Sequence, residues 1–406
     1  MPSDSFTDRL AEHLADWGLR RFDSDSAYDQ WQRATLKPDD LATLLRLSGQ
    51  RHGGADAAAE IAFYDYAAQP HVLPVLYSQR YDYYLTVGSA VAKRIGQART
   101  ALDVGCGIGV LTTFYARQFP HCVFTGIDRS PASIAAAQKR AAEIKLANIR
   151  FECLDVDQAD PPESMGPFDL IMATQALLQT EQDPGLPSKN WQTFERAKDA
   201  TAQAGFERRT GLAGRITRLC GALASNGRLI ACEKTRHLAR RVPFQRALAA
   251  QGLAMLEPPL PVQYPIIEEI TDDGPLYVLG RTGTPVVAWD ESPEQAEAQV
   301  NLAALAGKQA NQDEPLYENH TASAQQIWTR LPGRRIFQEI TREEPDGRQV
   351  HIELGESQGL TYLYCANTFD QRQIVFAKSE QTAMLAQYYQ ELVSGFGSLP
   401  SRKIPH

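Results

Sequence analysis

The sequence predicts an α/β protein: a doubly wound, mainly parallel sheet of seven strands, with a helical cap before it and a small α+β domain after it. Three observations carry this. Between residues 100 and 281 short apolar runs alternate with helical patterns, the order that builds a parallel sheet covered on both faces. A glycine-rich turn joins the first of those runs to a helix. Beyond residue 320 four strand-like runs follow one another with only turn residues between them.

Taken in order, residues 1–84 read as helical. Phe6, Leu10, Leu14 and Trp17 form one apolar helix face. Further helices are expected from Pro38 through Leu47 and from Ala55 to Tyr66, and the tyrosine-rich 76–95 segment turns helical toward its end. TALDV (100–104), CVFTGID (122–128), IRFECLD (149–155), FDLIMAT (168–174), GRLIACEK (227–234), LAMLE (253–257) and PLYVLGR (275–281) are the seven strands. Ser130-Pro131 is a helix start, with serine at the N-cap and proline in the first turn. Helices are also expected at 110–119, 212–224 and 243–251. Residues 283–320 read as a linker containing a helix from Pro293 to Lys308. The final domain, 321–406, has strands in RRIFQEITR, RQVHIELGE, LTYLYCANT and RQIVFAKS, a turn at Pro345-Asp346-Gly347, and a closing helix. No internal repeat or long low-complexity tract is present.

At about 150 residues per domain, 406 residues suggest two or three domains. Apolar residues make up 43% and charged residues 22%, ordinary for a globular chain. The net charge of −8 disfavours nucleic acid and anionic membrane as partners. No run of 18 apolar residues and no basic-then-apolar leader is present, so a cytoplasmic protein is expected. The six cysteines are scattered without CxxC spacing and the eight histidines are dispersed, so no metal site is expected.

The informative run is Asp103-Val104-Gly105-Cys106-Gly107-Ile108-Gly109. Glycine tolerates positive φ and a close ligand approach, and the following helix N-terminus offers free N–H groups. The dinucleotide pattern G-x-G-x-x-G does not fit, because its third glycine falls on Val110 or Thr112.

This run, ALDVGCGIGVLT, resembles motif I of the class I S-adenosylmethionine (SAM) dependent methyltransferases, a Rossmann-like family. The resemblance covers residues 80–282. It implies SAM as cofactor and S-adenosylhomocysteine as product. It implies cofactor contacts from Asp103, Gly105, Cys106, Gly107 and Gly109. Asp128 would accept hydrogen bonds from the ribose hydroxyls, with Arg129 beside it. Asp155 and Val156 would meet the adenine, and Thr174 and Tyr84 the rest of the cofactor. FDLIMATQALL resembles the fourth-strand motif. The family's Pro-Gly-Gly turn is here Ser225-Asn226-Gly227.

Methyl transfer from a sulfonium needs alignment and water exclusion more than a catalytic dyad. Candidates for acceptor contact are Gln175 and Tyr77, and for a general base or contact His237 and Tyr81. The sequence lacks an Asn/Asp-Pro-Pro-aromatic motif, a Pro-Cys dipeptide and a CxxxCxxC motif. A small-molecule acceptor is therefore expected, methylated at O, N or C. The other reading is a SAM-binding protein whose C-terminal domain recruits a peptide or protein. That domain has three open readings: homodimerisation through edges offered by LTYLYCANT and RQIVFAKS, partner binding, or closure over the cleft.

Overall fold

A computed structural model of the chain describes residues 5–53, 57–159, 166–178, 183–281, 286–293, 300–311, 314–344 and 347–394. The chain forms two compact units. One comprises Met1–Asp183, Gly205–Arg236 and Phe244–Trp289; the other comprises Pro184–Ala204, His237–Pro243 and Asp290–His406.

The first unit opens with helices α1 (Ser5–Asp16), α2 (Asp25–Thr35), α3 (Pro38–Gly53), α4 (Ala57–Ala67), α5 (Leu73–Ser78) and the short α6 (Tyr81–Tyr83). A π-helical turn at Tyr84–Gly88 leads into α7 (Ser89–Ile95). Helix α2 is an addition to the sequence expectation. Its DSAYDQWQRAT sequence buries only Tyr28, too sparse an apolar stripe to signal a helix. Leu10, Leu14 and Trp17 of the first helical region share one core with Val91, Phe114, Met172 and Val278. His13 lies inside that core, its Nε2 2.9 Å from the Val110 carbonyl oxygen. Burial lowers its imidazole to about 4.

The sheet of this unit contains β1 (Thr100–Val104), β2 (Val123–Asp128), β3 (Ile149–Cys153), β4 (Phe168–Thr174), β5 (Leu223–Cys232), β6 (Ala254–Met255), β7 (Leu260–Ile266) and β8 (Glu269–Gly280). Their order is β3-β2-β1-β4-β5-β8-β6, with β7 paired to β8. Strands β1 to β5 are mutually parallel, while β8 runs antiparallel to β5. The helices α8 (Val110–Gln118), α9 (Pro131–Glu143), α10 (Ala200–Thr210), α11 (Leu212–Ala222) and α12 (Leu238–Ala250) connect or follow these strands. Ser130 caps α9, its hydroxyl accepting from the Ser133 amide at 3.1 Å.

Strand order reverses between β1 and β4, so the crevice at the carboxyl ends of those two strands is the expected ligand position. Two details differ from the sequence expectation. LPVQYPI, with Pro261 and Pro265, forms a hairpin strand against β8; prolines are tolerated there because β7 is an edge. The 225–227 turn does not interrupt β5. Its residues instead form an irregularity between the Phe168↔Leu223 and Leu170↔Arg228 pairs, where a Cβ on Gly227 would lie 2.8 Å from the Phe168 carbonyl oxygen.

The second unit holds α13 (Leu302–Ala306), β9 (Tyr317–Asn319), α14 (Ser323–Thr329), β10 (Arg335–Glu343), β11 (Gln349–Ser357), β12 (Leu360–Asn367), β13 (Arg372–Lys378) and α15 (Thr382–Ser394). The five strands run β10-β11-β12-β13-β9, all antiparallel. One face packs against α15, and the other carries Trp191, Leu302, Ile327, Tyr362 and Tyr364. LTYLYCANT and RQIVFAKS do not expose edges: β12 lies between β11 and β13, and β9 covers β13. The edge strands are β10 and the three-residue β9. The expected Pro293–Lys308 helix is observed only as α13, capped by the Asn301 side chain; residues 294–299 lie outside the described residues. So do Pro345 and Asp346 of the expected turn, the domain boundary at residues 282–283, and the start of the 180–211 segment.

All six cysteines are free thiols. Among the described residues no helix is long and apolar enough to cross a membrane.

Candidate functional site

At the β1/β4 crevice the first unit contains a cavity of about 250 Å³. Its floor is the turn after β1. Gly105, Gly107 and Gly109 all have positive φ, at 68°, 54° and 79°. They are glycines for different reasons. A Cβ on Gly105 would lie 2.7 Å from the Ala176 Cβ, and one on Gly109 would lie 2.8 Å from Phe151 and 2.9 Å from Ala137. A Cβ on Gly107 would meet nothing within 4 Å. Gly107 therefore opens onto the cavity, whereas Gly109 is fixed by packing.

Asp128, at the end of β2, faces this turn. Its Oδ2 accepts from the Gly107 amide at 2.9 Å, and its Oδ1 from the Ser130 amide at 2.9 Å. Each carboxylate oxygen keeps a further lone pair for a ligand hydroxyl. Burial raises its carboxyl pKa, against the two amides and the Arg129 charge. Behind the turn, the Asp103 Oδ2 accepts from the Thr112 hydroxyl at 2.5 Å, and burial pushes its carboxyl up to about 7. Asp155, after β3, accepts from the Asp157 amide at 2.9 Å and lines the same cavity beside Val156.

The wall after β4 is built by a buried carboxylate. Glu233, just past β5, accepts from the amides of Ala176 and Leu177 at 2.9 Å each and of Leu178 at 3.2 Å. Burial raises it to about 7, while those amides and Arg215 act in the opposite direction. Arg215 in turn donates to Asp157 at 2.5 and 2.6 Å and to the Leu177 carbonyl at 2.7 Å. The backbone from 176 to 178 is thus held from both sides. Gln175 starts this segment with φ of 56°, an uncommon conformation for a residue other than glycine. Its amide nitrogen donates to the Cys232 carbonyl at 2.7 Å.

The remaining wall comes from the N-terminal helices. The Arg80 guanidinium lies over the Tyr83 ring, 4.2 Å from its centroid, and donates to the Gln175 Oε1 at 2.6 Å. Gln175 Nε2 donates to Asp273 at 2.5 Å, and Asp273 also accepts from the Tyr264 hydroxyl at 2.5 Å. Tyr77 and Tyr84 line the cavity, with Tyr64, Arg51 and Glu60. The Tyr77 hydroxyl is buried and has no hydrogen-bond partner. Glu60 pairs with Arg129.

The structure therefore brings most of the sequence candidates around one cavity: Asp103, Gly105, Cys106, Gly107, Asp128, Arg129, Asp155, Val156, Thr174, Gln175, Tyr77 and Tyr84. Gly109 stands behind the lining. Tyr81 does not line the cavity; it is partly buried against the main core. His237 does not line it either, and is an exposed residue of the other unit. Sequence reasoning missed Arg80, Tyr64, Arg51, Glu60 and Arg215. The one available signal was Arg80 itself, a lone cation directly before the tyrosine cluster.

Comparison with known proteins gives the same reading of this region. A family model described as a methyltransferase domain matches residues 95–258. The chain is 35% identical over 91 residues to the trans-aconitate 2-methyltransferase of Deinococcus radiodurans, covering 22% of this chain and 32% of that protein. It is 38% identical over 72 residues to the malonyl-[acyl-carrier protein] O-methyltransferase of a Paenibacillus species, covering 18% and 26%. It is 43% identical over 85 residues to the tRNA (guanine-N(7)-)-methyltransferase of Rubrobacter xylanophilus, covering 21% and 35%. The chain thus spans only about a quarter to a third of the length of these relatives. Residues 95–258 therefore carry a methyltransferase domain, and the strand order and the glycine turn of this region agree with that match.

Proposed function

We propose that the protein transfers a methyl group from SAM to an oxygen, nitrogen or carbon atom of a small, acidic acceptor. The observation that carries this is the pairing of an open left-handed turn at Gly107 with the Asp128 carboxylate at the β1/β4 switch point. The residues suit SAM on three grounds. Gly107 leaves room for a ligand, Asp128 has unused acceptor capacity, and the buried Tyr77 hydroxyl lacks a partner. Bound SAM supplies an electrophilic methyl group on a good leaving group.

The chain's own residues then have to hold and align. Asp128 and the turn amides would fix the ribose end, and Asp155 and Val156 the base. Glu233 and Arg215 make the 176–178 wall rigid, and preorganised positioning of this kind supplies roughly 7–11 kcal/mol of a barrier. Arg80, stacked on Tyr83 and held by Gln175, presents the positive charge that suits a carboxylate. Two of the relatives are named for acids, trans-aconitate and a malonyl group. An ionised carboxylate is already a nucleophile, so no general base is required. A third relative is named for a tRNA guanine. The net charge of −8 favours the small acceptor over RNA.

The helices of residues 1–84 serve as the cap, a reading supported by Arg51, Glu60, Tyr64, Tyr77 and Arg80 in the lining. The SAM-binding domain would be residues 85–282 without 184–204 and 237–243, and the smaller domain would be 321–406 together with those two stretches and the 290–320 segment, which is therefore more than a linker. The edge strand β10, with Ile336 and Phe337 exposed, supports homodimerisation. The six free cysteines suit a cytoplasmic setting.

Calorimetric titration with SAM, S-adenosylhomocysteine and NAD tests the cofactor assignment. Micromolar binding of the first two and none of NAD is expected. Transfer of labelled methyl to a panel of di- and tricarboxylic acids then tests the acceptor class. Binding of NAD instead would overturn the reading, and labelling confined to tRNA would replace the acceptor.

A further inference from the structure

The second unit contains a polar cluster that no residue spacing announces. Glu339 on β10 lies directly across from Glu353 on β11, and Thr341 directly across from His351. Residues two apart on a strand share a face, so all four side chains stand on one side of the sheet. One ligand atom from each of Glu339, His351 and Glu353 lies within 4.8 Å of the other two. Glu353 and His351 are 2% and 3% exposed, whereas Glu339 stands at the solvent rim.

The hydrogen bonds decide which atoms remain available. Glu353 Oε1 accepts from the Tyr362 hydroxyl at 2.5 Å and from the Trp328 indole N–H at 3.0 Å, with Arg334 3.7 Å away. Its Oε2 faces His351 Nε2 at 3.5 Å. That nitrogen is buried and makes no hydrogen bond. The other ring nitrogen, Nδ1, is 2.8 Å from the Thr341 hydroxyl. The imidazole plane is fixed by Trp191, stacked on it at 3.7 Å and 2°.

When Nδ1–H donates to Thr341, Nε2 presents a lone pair to a carboxylate oxygen. Two acceptors held face to face repel unless a cation sits between them. A histidine whose far nitrogen is anchored by a hydrogen bond is the usual arrangement of a metal ligand. The separation also fits. A tetrahedral ion with bonds of about 2.0–2.2 Å sets its ligand atoms about 3.3–3.6 Å apart, and the observed distance is 3.5 Å.

The geometry points to a divalent transition-metal site on the antiparallel sheet, with His351 Nε2, Glu353 Oε2 and the Glu339 carboxylate as protein ligands. One imidazole and two carboxylates suit zinc or manganese better than the all-oxygen shells of calcium and magnesium. Solvent at the Glu339 rim supplies the remaining position and the entry path. The ion would tie the edge strand β10 to β11. This site is independent of the methyl-transfer reading, because every residue in it belongs to the second unit.

The test is calorimetric titration of the full, chelator-stripped chain with zinc chloride, repeated with Glu339→Gln and with His351→Phe, which keeps the ring stack on Trp191. The wild-type chain should bind one zinc ion per chain in the micromolar range. Glu339→Gln should weaken that binding about 10-fold and His351→Phe at least about 100-fold, since each removes a ligand. Zinc should also change the emission of Trp191 and Trp328 in the wild-type chain and not in His351→Phe. Because Glu339 is exposed, its variant reports even if His351→Phe fails to fold. Absence of saturable zinc binding overturns the proposal, as does binding that is unchanged in Glu339→Gln and leaves the tryptophan emission unaltered.

Discussion

Glu233 in the parallel sheet and Glu353 in the antiparallel sheet are both buried, yet their carboxyl pKa values move in opposite directions. Burial raises Glu233 to about 7 although three backbone amides bond it. Glu353 is lowered: burial opposes this, but the neighbouring His351 ring, the bonds from Tyr362 and Trp328 and the Arg334 charge prevail. The difference follows from how each sheet gathers polar groups. A parallel sheet in this topology collects them at its strand ends, where the chain turns and its backbone amides are free. An antiparallel sheet places them side by side on one face, where side chains alone supply the partners.

The sharpest way to break the strand-end half of that comparison is Asp128→Ala. Losing two hydrogen bonds to a charged acceptor, roughly 1.5 kcal/mol or more each, should weaken SAM binding at least about 100-fold. Calorimetry checks the affinity, and circular dichroism should show an unchanged fold. The glycines divide next. Gly109→Val drives a side chain into Phe151 and Ala137 from a left-handed backbone, and should cost about 2–5 kcal/mol of stability in urea unfolding. Gly107→Val meets open space, so it should cost only about 1–2 kcal/mol in stability while abolishing SAM binding. Equal destabilisation by the two would contradict their assigned roles.

The smallest effect concerns pH. Glu233 has a folded-state value raised above its unfolded one. Its contribution to stability is therefore complete below the unfolded value near 4.5 and is lost as pH rises toward about 7. Glu233→Gln should flatten the stability profile across that window, measured as unfolding midpoints from pH 4.5 to 8. A profile identical to wild type would mean that Glu233 is ionised throughout.

The same contrast explains what could be read in advance. The strand-end site was legible because its chemistry is consecutive in sequence: the glycine turn follows β1 directly, and Asp128 and Asp155 close the next two strands. Arg80 was not, because its partner Gln175 is 95 residues away and nothing local couples them. Glu339, His351 and Glu353 escaped for a related reason. Their proximity depends on strand register, which sets residues from two strands opposite one another without leaving a motif. Strand β7 was hidden by its own prolines, and α2 by its thin apolar stripe. His237 and Tyr81 were read as candidates by proximity to strand ends and aromatic segments, but neither side chain reaches the cavity lining.

The second unit is assembled from three separate stretches of chain, and its interior depends on all three. Arg196, from the first stretch, is paired in the interior with Asp370 from the last, and the Asp370 carboxylate also accepts from the Ala239 amide of the middle one. A fragment cut at residue 321 would strand Asp370 without either partner and remove Trp191 from its stack on His351. The tail is therefore not a cassette. Grafting it onto another protein, or deleting it to obtain a minimal enzyme, would leave orphaned charge on at least one side of the cut, and recombination at that boundary would be selected against.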